Sequence, residues 1–211
     1  MFKTDVQLTG KWKHLRWLWD ADRVAKALDV NLAQATKVNA MLVVREVRQR
    51  IRSKQYAPNA DLTTAIKRSS TPLIDQGDLW RAVTYQMVNP RTALAGIMRQ
   101  QKTKAGGEML NLAIALHEGF TVKVTPGTRG LFYALARYTQ GTASIDSLTG
   151  RAREIAERLK KGTTIYPLKP TTTAITVPAR PFLREVIEDD ALREKARKNW
   201  QAAMGKALHG K

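Results

Sequence analysis

From about residue 22 to 54 the chain keeps one apolar register. Val24, Leu28, Leu32, Ala35, Val38 and Leu42 recur at steps of three and four, and the stripe then shifts to Val43, Val47 and Ile51. Side chains three and four apart share a helix face, so this spacing predicts one long helix with a buried side. Pro58, Asn59 and Asp61 break the pattern, and the run Ser69, Ser70, Thr71, Pro72 marks a second boundary. Residues 55–72 therefore read as a loop, with a short helix around 62–68. Beyond it, 84–88 has strand composition, 93–99 is an apolar run of either kind, and 110–116 alternates like a buried strand. Residues 121–125 are β-branched with interleaved Lys, and Pro126-Gly127 signals a turn. The texture then changes: a helix at 131–138, a loop at 141–150 and a basic helix at 151–161. A Thr- and Val-rich strand returns at 171–177, ended by Pro178. Pro181 is placed to open a C-terminal helix, where its missing N–H costs nothing. Leu192, Ala196, Trp200, Ala203 and Ala207 line one face of that helix. The expected architecture is α+β: a long N-terminal helix packed on a mostly antiparallel sheet, with an inserted arm at 120–176 and a C-terminal helix. Residues 1–211 are expected to form a single domain around that insertion.

Charge adds a constraint on partners. Thirty-six Lys and Arg stand against 18 Asp and Glu, a net charge of +18. Residues 1–70 carry +8, 71–150 only +3, and 151–211 carry +7, so both ends are basic and the middle is nearly balanced. Such an excess favours a polyanionic neighbour and opposes self-association unless the contacting surfaces are complementary. The last turns of the long helix carry Arg45, Arg48, Arg50, Arg52 and Lys54, near the negative end of the helix dipole. That cluster suits a solvated helix face or a nucleic-acid contact. The absence of cysteine excludes disulfides, thiolate zinc sites and a cysteine nucleophile. The start of the chain turns polar by Asp5 and Gln7, so export through a signal peptide is not expected. Apolar runs such as 40–44 fall far short of the roughly 20 residues that span a bilayer, so no membrane partner is expected either.

Candidate chemistry is sparse. His14, His117 and His209 have no ligand-like spacing, and His117-Glu118 lacks the second histidine that a helical zinc site needs. Gly106-Gly107 is an isolated pair and no phosphate-cradling loop follows it. No strand-to-helix nucleophile elbow is present. Asp75 and Asp78 form a pair three apart, one of which is expected to cap a short helix beginning at Leu79. Catalytic residues, cofactors and metals are therefore none, and the chain is not read as an enzyme. The segment Lys11 to Trp19 interleaves cations with Trp12, Trp17 and Trp19. Trp and Arg dominate interface hot spots, so these residues are candidates for partner contact, with core packing and nucleic-acid stacking as alternatives.

Three segments, in order, resemble a family of tailed bacteriophages: the tail-completion or head-to-tail joining (neck) proteins, also called virion morphogenesis proteins. The first is Pro72-Leu73-Ile74-Asp75-Gln76-Gly77-Asp78-Leu79-Trp80-Arg81-Ala82-Val83, similar to the family's "leucine, aspartate or valine, threonine, glycine, x, leucine" signature, with Gln76 in place of threonine. The second is Ala115-Leu116-His117-Glu118-Gly119, similar to a strand of the family that ends in a histidine, an acid or aliphatic residue, and glycine. The third, Val177-Pro178-Ala179-Arg180-Pro181-Phe182-Leu183, is similar to the start of the family's last helix and is the most specific. Gly10 and Leu15 before a long helix also fit the family's opening, whereas 120–176 exceeds its usual linker. Physically, Gly77 and Gly119 suit tight turns, and Pro178 and Pro181 bracket Arg180 so that its direction is set. Arg180 is expected to pair with a carboxylate, Glu118, Asp78 or a neighbour's acid, and to serve as a partner contact. Phe182 and Leu183 are expected in the core.

The resemblance implies a structural virion protein. It would form a homo-oligomeric ring, of six copies by analogy, between the portal-connector and the tail. It would assemble in the host cytoplasm and reside at the head-tail junction, with contact to the genomic DNA an open question. The alternative reading is a basic nucleic-acid-binding protein in which the chain ends and the Trp segment grip the backbone.

Overall fold

The computed structural model describes residues 21–53, 55–60, 63–64, 71–74, 77–103, 106–159 and 162–209. Trp12, Trp17, Trp19 and Asp75 lie outside them, as does most of the short helix expected at 62–68, of which Thr63 and Thr64 are helical. The fold is α+β. The chain divides into two compact units, Met1–Val47 with Val83–Ile97 and Leu183–Lys211, and Arg48–Ala82 with Met98–Phe182.

Helix α1, Ala21–Arg52, realises the long helix. In the first unit its buried positions are Leu32, Ala35, Thr36, Ala40, Val44 and Val47. The drift of this stripe leaves Val38 exposed, because 3.6 residues per turn rotates a 3-4 pattern off the buried face. The α2 helix, Asp78–Ala82, leads directly into β1, Val83–Asn89, which pairs antiparallel with β2, Thr92–Ile97. The register sets Val83 opposite Ile97 and Tyr85 opposite Ala95, with an irregularity between Met87 and Asn89. Asn89 Oδ1 accepts the Arg91 N–H at 2.8 Å and holds the turn. Thr36 donates to Pro90 O at 3.0 Å, and Arg91 pairs with Asp29 at 3.1 Å, so the long helix meets the hairpin at its turn. An apolar contact joins it to the C-terminal helix, through Leu28, Leu32, Ala35, Trp200 and Ala203. Beside these residues Asn39 donates to Ala196 O at 3.1 Å and accepts from Asn199 at 2.7 Å.

The second unit contains α3, Met109–Glu118, where strand alternation was expected. The Leu and Ala of that run are strong helix formers, and only Met109 and Ala113, four apart, are buried. The β3 strand, Phe120–Lys123, pairs antiparallel with β4, Ala174–Val177, Phe120 facing Val177 and Lys123 facing Ala174. The strands thus form two separate two-stranded ladders and not one sheet. Pro126 is not in a turn: it opens α4, Pro126–Thr139, with Thr125 capping the Thr128 N–H at 3.1 Å. A 3₁₀ turn at Ile145–Ser147 and α5, Gly150–Arg158, follow. The segment between the paired strands carries its own core of Leu135, Leu148, Ala156 and Ile165, flanked by Leu131, Phe132 and Ile155. Arg129 fixes the returning chain by donating to the carbonyls of Lys169, Pro170 and Thr172.

The C-terminal helix does not begin at Pro181. Phe182 N–H turns back to Arg180 O at 2.8 Å, and α6, Arg184–Ile187, starts afterwards. After a break, α7, Asp190–His209, is capped by Asp189, whose Oδ1 accepts the Leu192 N–H at 3.1 Å. Leu192, Ala203 and Ala207 are buried on it.

Candidate functional site

In the second unit the three segments that carry the family resemblance meet. The α3 helix ends at Gly119, whose φ of +75° and ψ of 166° lie where side-chain-bearing residues are strained. A Cβ there would sit 2.7 Å from Ala179 N and 2.8 Å from Val177 O. The glycine therefore lets two backbones touch. Arg180 N–H then donates to the Leu116 and His117 carbonyls at 3.0 and 3.2 Å, satisfying acceptors that the helix end leaves over. The His117 ring meets Phe182 edge to face, centroids 5.5 Å apart at 86°, and Phe182 is fully buried.

Arg180 is only 4% exposed. One terminal nitrogen donates to Pro72 O at 3.4 Å, the other to Ala57 O at 3.3 Å and Asn59 Oδ1 at 3.0 Å. The expected carboxylate is not there: among the described residues neither Glu118 nor Asp78 reaches it, and carbonyl dipoles take the place of an ion pair. Burial without a counter-charge lowers the guanidinium pKa from its ordinary value. Nor is Arg180 open for partner contact within this chain's own fold, because its side chain is buried. Leu79 is buried, Pro181 and Leu183 are half-buried, and Glu118 and Pro178 are exposed. Asp78 begins α2 and lines a cavity of about 360 Å³ with Arg81, Gln101, Lys102 and Thr103.

No family model, curated protein or solved structure matches the chain.

A second feature of the same unit was visible in the sequence only as the basic cluster at the end of the long helix, without the tryptophan that joins it. The guanidinium carbons of Arg48, Arg52 and Arg81 lie 5.7, 5.6 and 5.6 Å from the centroid of the Trp80 ring. No two of them are more than about 11 Å apart, twice that radius. At that limit two unit charges repel by about 0.4 kcal/mol in bulk water and about 1.5 kcal/mol at an effective dielectric of about 20. Each pair repels by at least this much, and each arginine gains about 0.5–1 kcal/mol from the ring at an exposed site, so the indole offsets part of the crowding of charge. Gly77 sets the ring's position: a Cβ there, at φ +84°, would meet Trp80 Nε1 at 2.6 Å. The tryptophan follows Gly77 by three residues, but Arg48 and Arg52 come from the end of α1, and only folding joins them.

Among the described residues no group of three or more His, Asp or Glu side chains is placed to hold a metal ion. No described helix is long and apolar enough to cross a membrane.

Proposed function

We propose that the chain is a structural virion protein that forms a ring at the head-tail junction of a tailed phage and joins the connector to the tail. One observation carries the reading beyond the resemblance of the separate segments: Pro72, His117 with Gly119, and Arg180 with Phe182 converge on one junction through hydrogen bonds and ring contact. Residues more than 100 positions apart in the chain are joined there by Arg180. The contacts described in that junction have architectural uses: a glycine that lets backbones touch, carbonyls that hold a cation, a phenylalanine in the core. This is the use that a motif has when its product is a shape. A ring repeats one heterologous contact around an axis, so closure depends on the rigidity of each copy more than on any single side chain. The basic excess is then offset by acidic surfaces of neighbouring rings or by the DNA passing the junction.

Mass measurement of the purified protein, alone and with connector or tail, tests the reading, the expected result being a closed oligomer that binds one or both. Particles assembled without the protein should show heads and tails that fail to join stably in electron micrographs. Normal infectious particles from a deletion strain would remove the proposal.

A further inference from the structure

We propose that Arg52 and Arg81, set on the Trp80 ring, form a binding site for the phosphate groups of a nucleic-acid backbone. Both side chains belong to exposed residues, and among the described residues the partner of each is the indole, with no carboxylate on either. A cation–π contact uses the charge of the guanidinium and none of its hydrogen-bond capacity, so the N–H groups can still fork onto a phosphate. Arg48 is the third cation on the ring and is engaged in a further interaction as well, so the site rests on the other two. Beside them Arg81 shares its cavity with Lys102 and the single acid Asp78.

A polymer of fixed charge fits this arrangement better than an acidic peptide. Duplex DNA carries one charge per about 1.7 Å of axis, so several phosphates fall within the about 11 Å that the cluster spans at most. A peptide would need consecutive acids held in one conformation. The chain's surplus of 18 cations also extends over both ends of the sequence, as a contact with a continuous polyanion requires. With Trp80 already surrounded by cations, base stacking is not offered, so the binding is to backbone and independent of sequence. The proposal stands whether or not the chain closes into a ring.

The test is fluorescence anisotropy of the full chain with a labelled random-sequence duplex, titrated between about 50 and 200 mM salt. The double substitution R52Q/R81Q should weaken binding at least tenfold at the upper salt and reduce the slope of log affinity against log salt by about two. R52K/R81K should keep the slope. R151Q/R158Q, which removes the same charge from exposed positions on α5, should change the slope by less than half as much. In the unsubstituted protein, bound duplex should shield Arg52 and Arg81 from phenylglyoxal, read by mass spectrometry, a measurement that needs no variant to fold. An equal effect of the two glutamine pairs, or no shielding of Arg52 and Arg81, overturns the proposal. So does binding of polyglutamate or inorganic pyrophosphate that is lost in R52Q/R81Q while duplex binding is unchanged.

Discussion

Replacing Arg180 by alanine removes a buried cation and leaves three acceptors facing the space it filled. The cost follows from the three distances. The bond to Asn59 Oδ1 at 3.0 Å is near the ordinary range for a charged donor and is assigned about 1.5 kcal/mol. The bonds to Ala57 O and Pro72 O, at 3.3 and 3.4 Å, are long, and about 0.5–1 kcal/mol each is appropriate. The total is about 3 kcal/mol, a large share of the roughly 5–15 kcal/mol that holds a protein of this kind folded. Lysine keeps the charge but not the fork, so R180K should lose about half as much. Urea denaturation followed by circular dichroism measures both, and the midpoint of thermal unfolding should fall by about 6–12 °C in R180A. A loss below about 1 kcal/mol in R180A would refute the reasoning, because it would mean that water satisfies those carbonyls as well as the arginine does.

Gly119→Ala should destabilise by at least about 3 kcal/mol, since the φ is unfavourable and the new Cβ strikes backbone atoms that have no side-chain freedom. Gly141→Ala, at a similar φ but with open space around it, should cost only about 1 kcal/mol in the same urea assay. Leu135→Ala, at a fully buried position, should cost about 2–5 kcal/mol and reduce hydrogen-exchange protection across residues 126–165. The Arg197 hydrogen bond, with the Arg197 and Lys198 charges, holds the Glu194 carboxyl below its ordinary value. This depressed pKa makes the pair's stabilisation present above the unfolded carboxyl's pKa, about 4.3, and lost as pH falls through the folded value. Carbon-13 NMR titration should show the low value and its return toward normal in Arg197→Gln.

The elements legible in the sequence were those with a single strong period. The long helix, the strand at 84–88, the returning strand that ends at Val177 and the helix at 131–138 are present, as is the apolar face of the C-terminal helix at Leu192, Ala203 and Ala207. Residues 110–116 misled because alternating Leu, Asn, Ala and Ile satisfies period two and period 3.6 alike, and only helix propensity separates them. Pro126 and Pro181 misled in opposite directions. A proline is equally at home in a turn and at a helix start, and the choice depends on the next carbonyl available. The split of the strands into two ladders was not legible because pairing partners are a long-range property: β1 pairs with β2, and β3 with β4. Of the site, the motif glycines, Phe182 and the importance of Arg180 were visible, but its partners were not. A buried arginine ordinarily calls for an acid, and nothing in the chain's local pattern marks Ala57, Asn59 and Pro72 as substitutes.

The pairing of Lys123 with Ala174, prolonged by Val124 N–H bonding to Thr173 O at 2.8 Å, means that the chain departs and comes home at adjoining points. Everything between is topologically a hairpin loop with a core of its own. Such a segment is exchangeable cargo: excising 125–172 and closing the gap with a short Asn-Gly turn asks the two strands to do nothing new. What hangs from the ladder can thus be lengthened, trimmed or swapped while the Arg180 junction stays untouched.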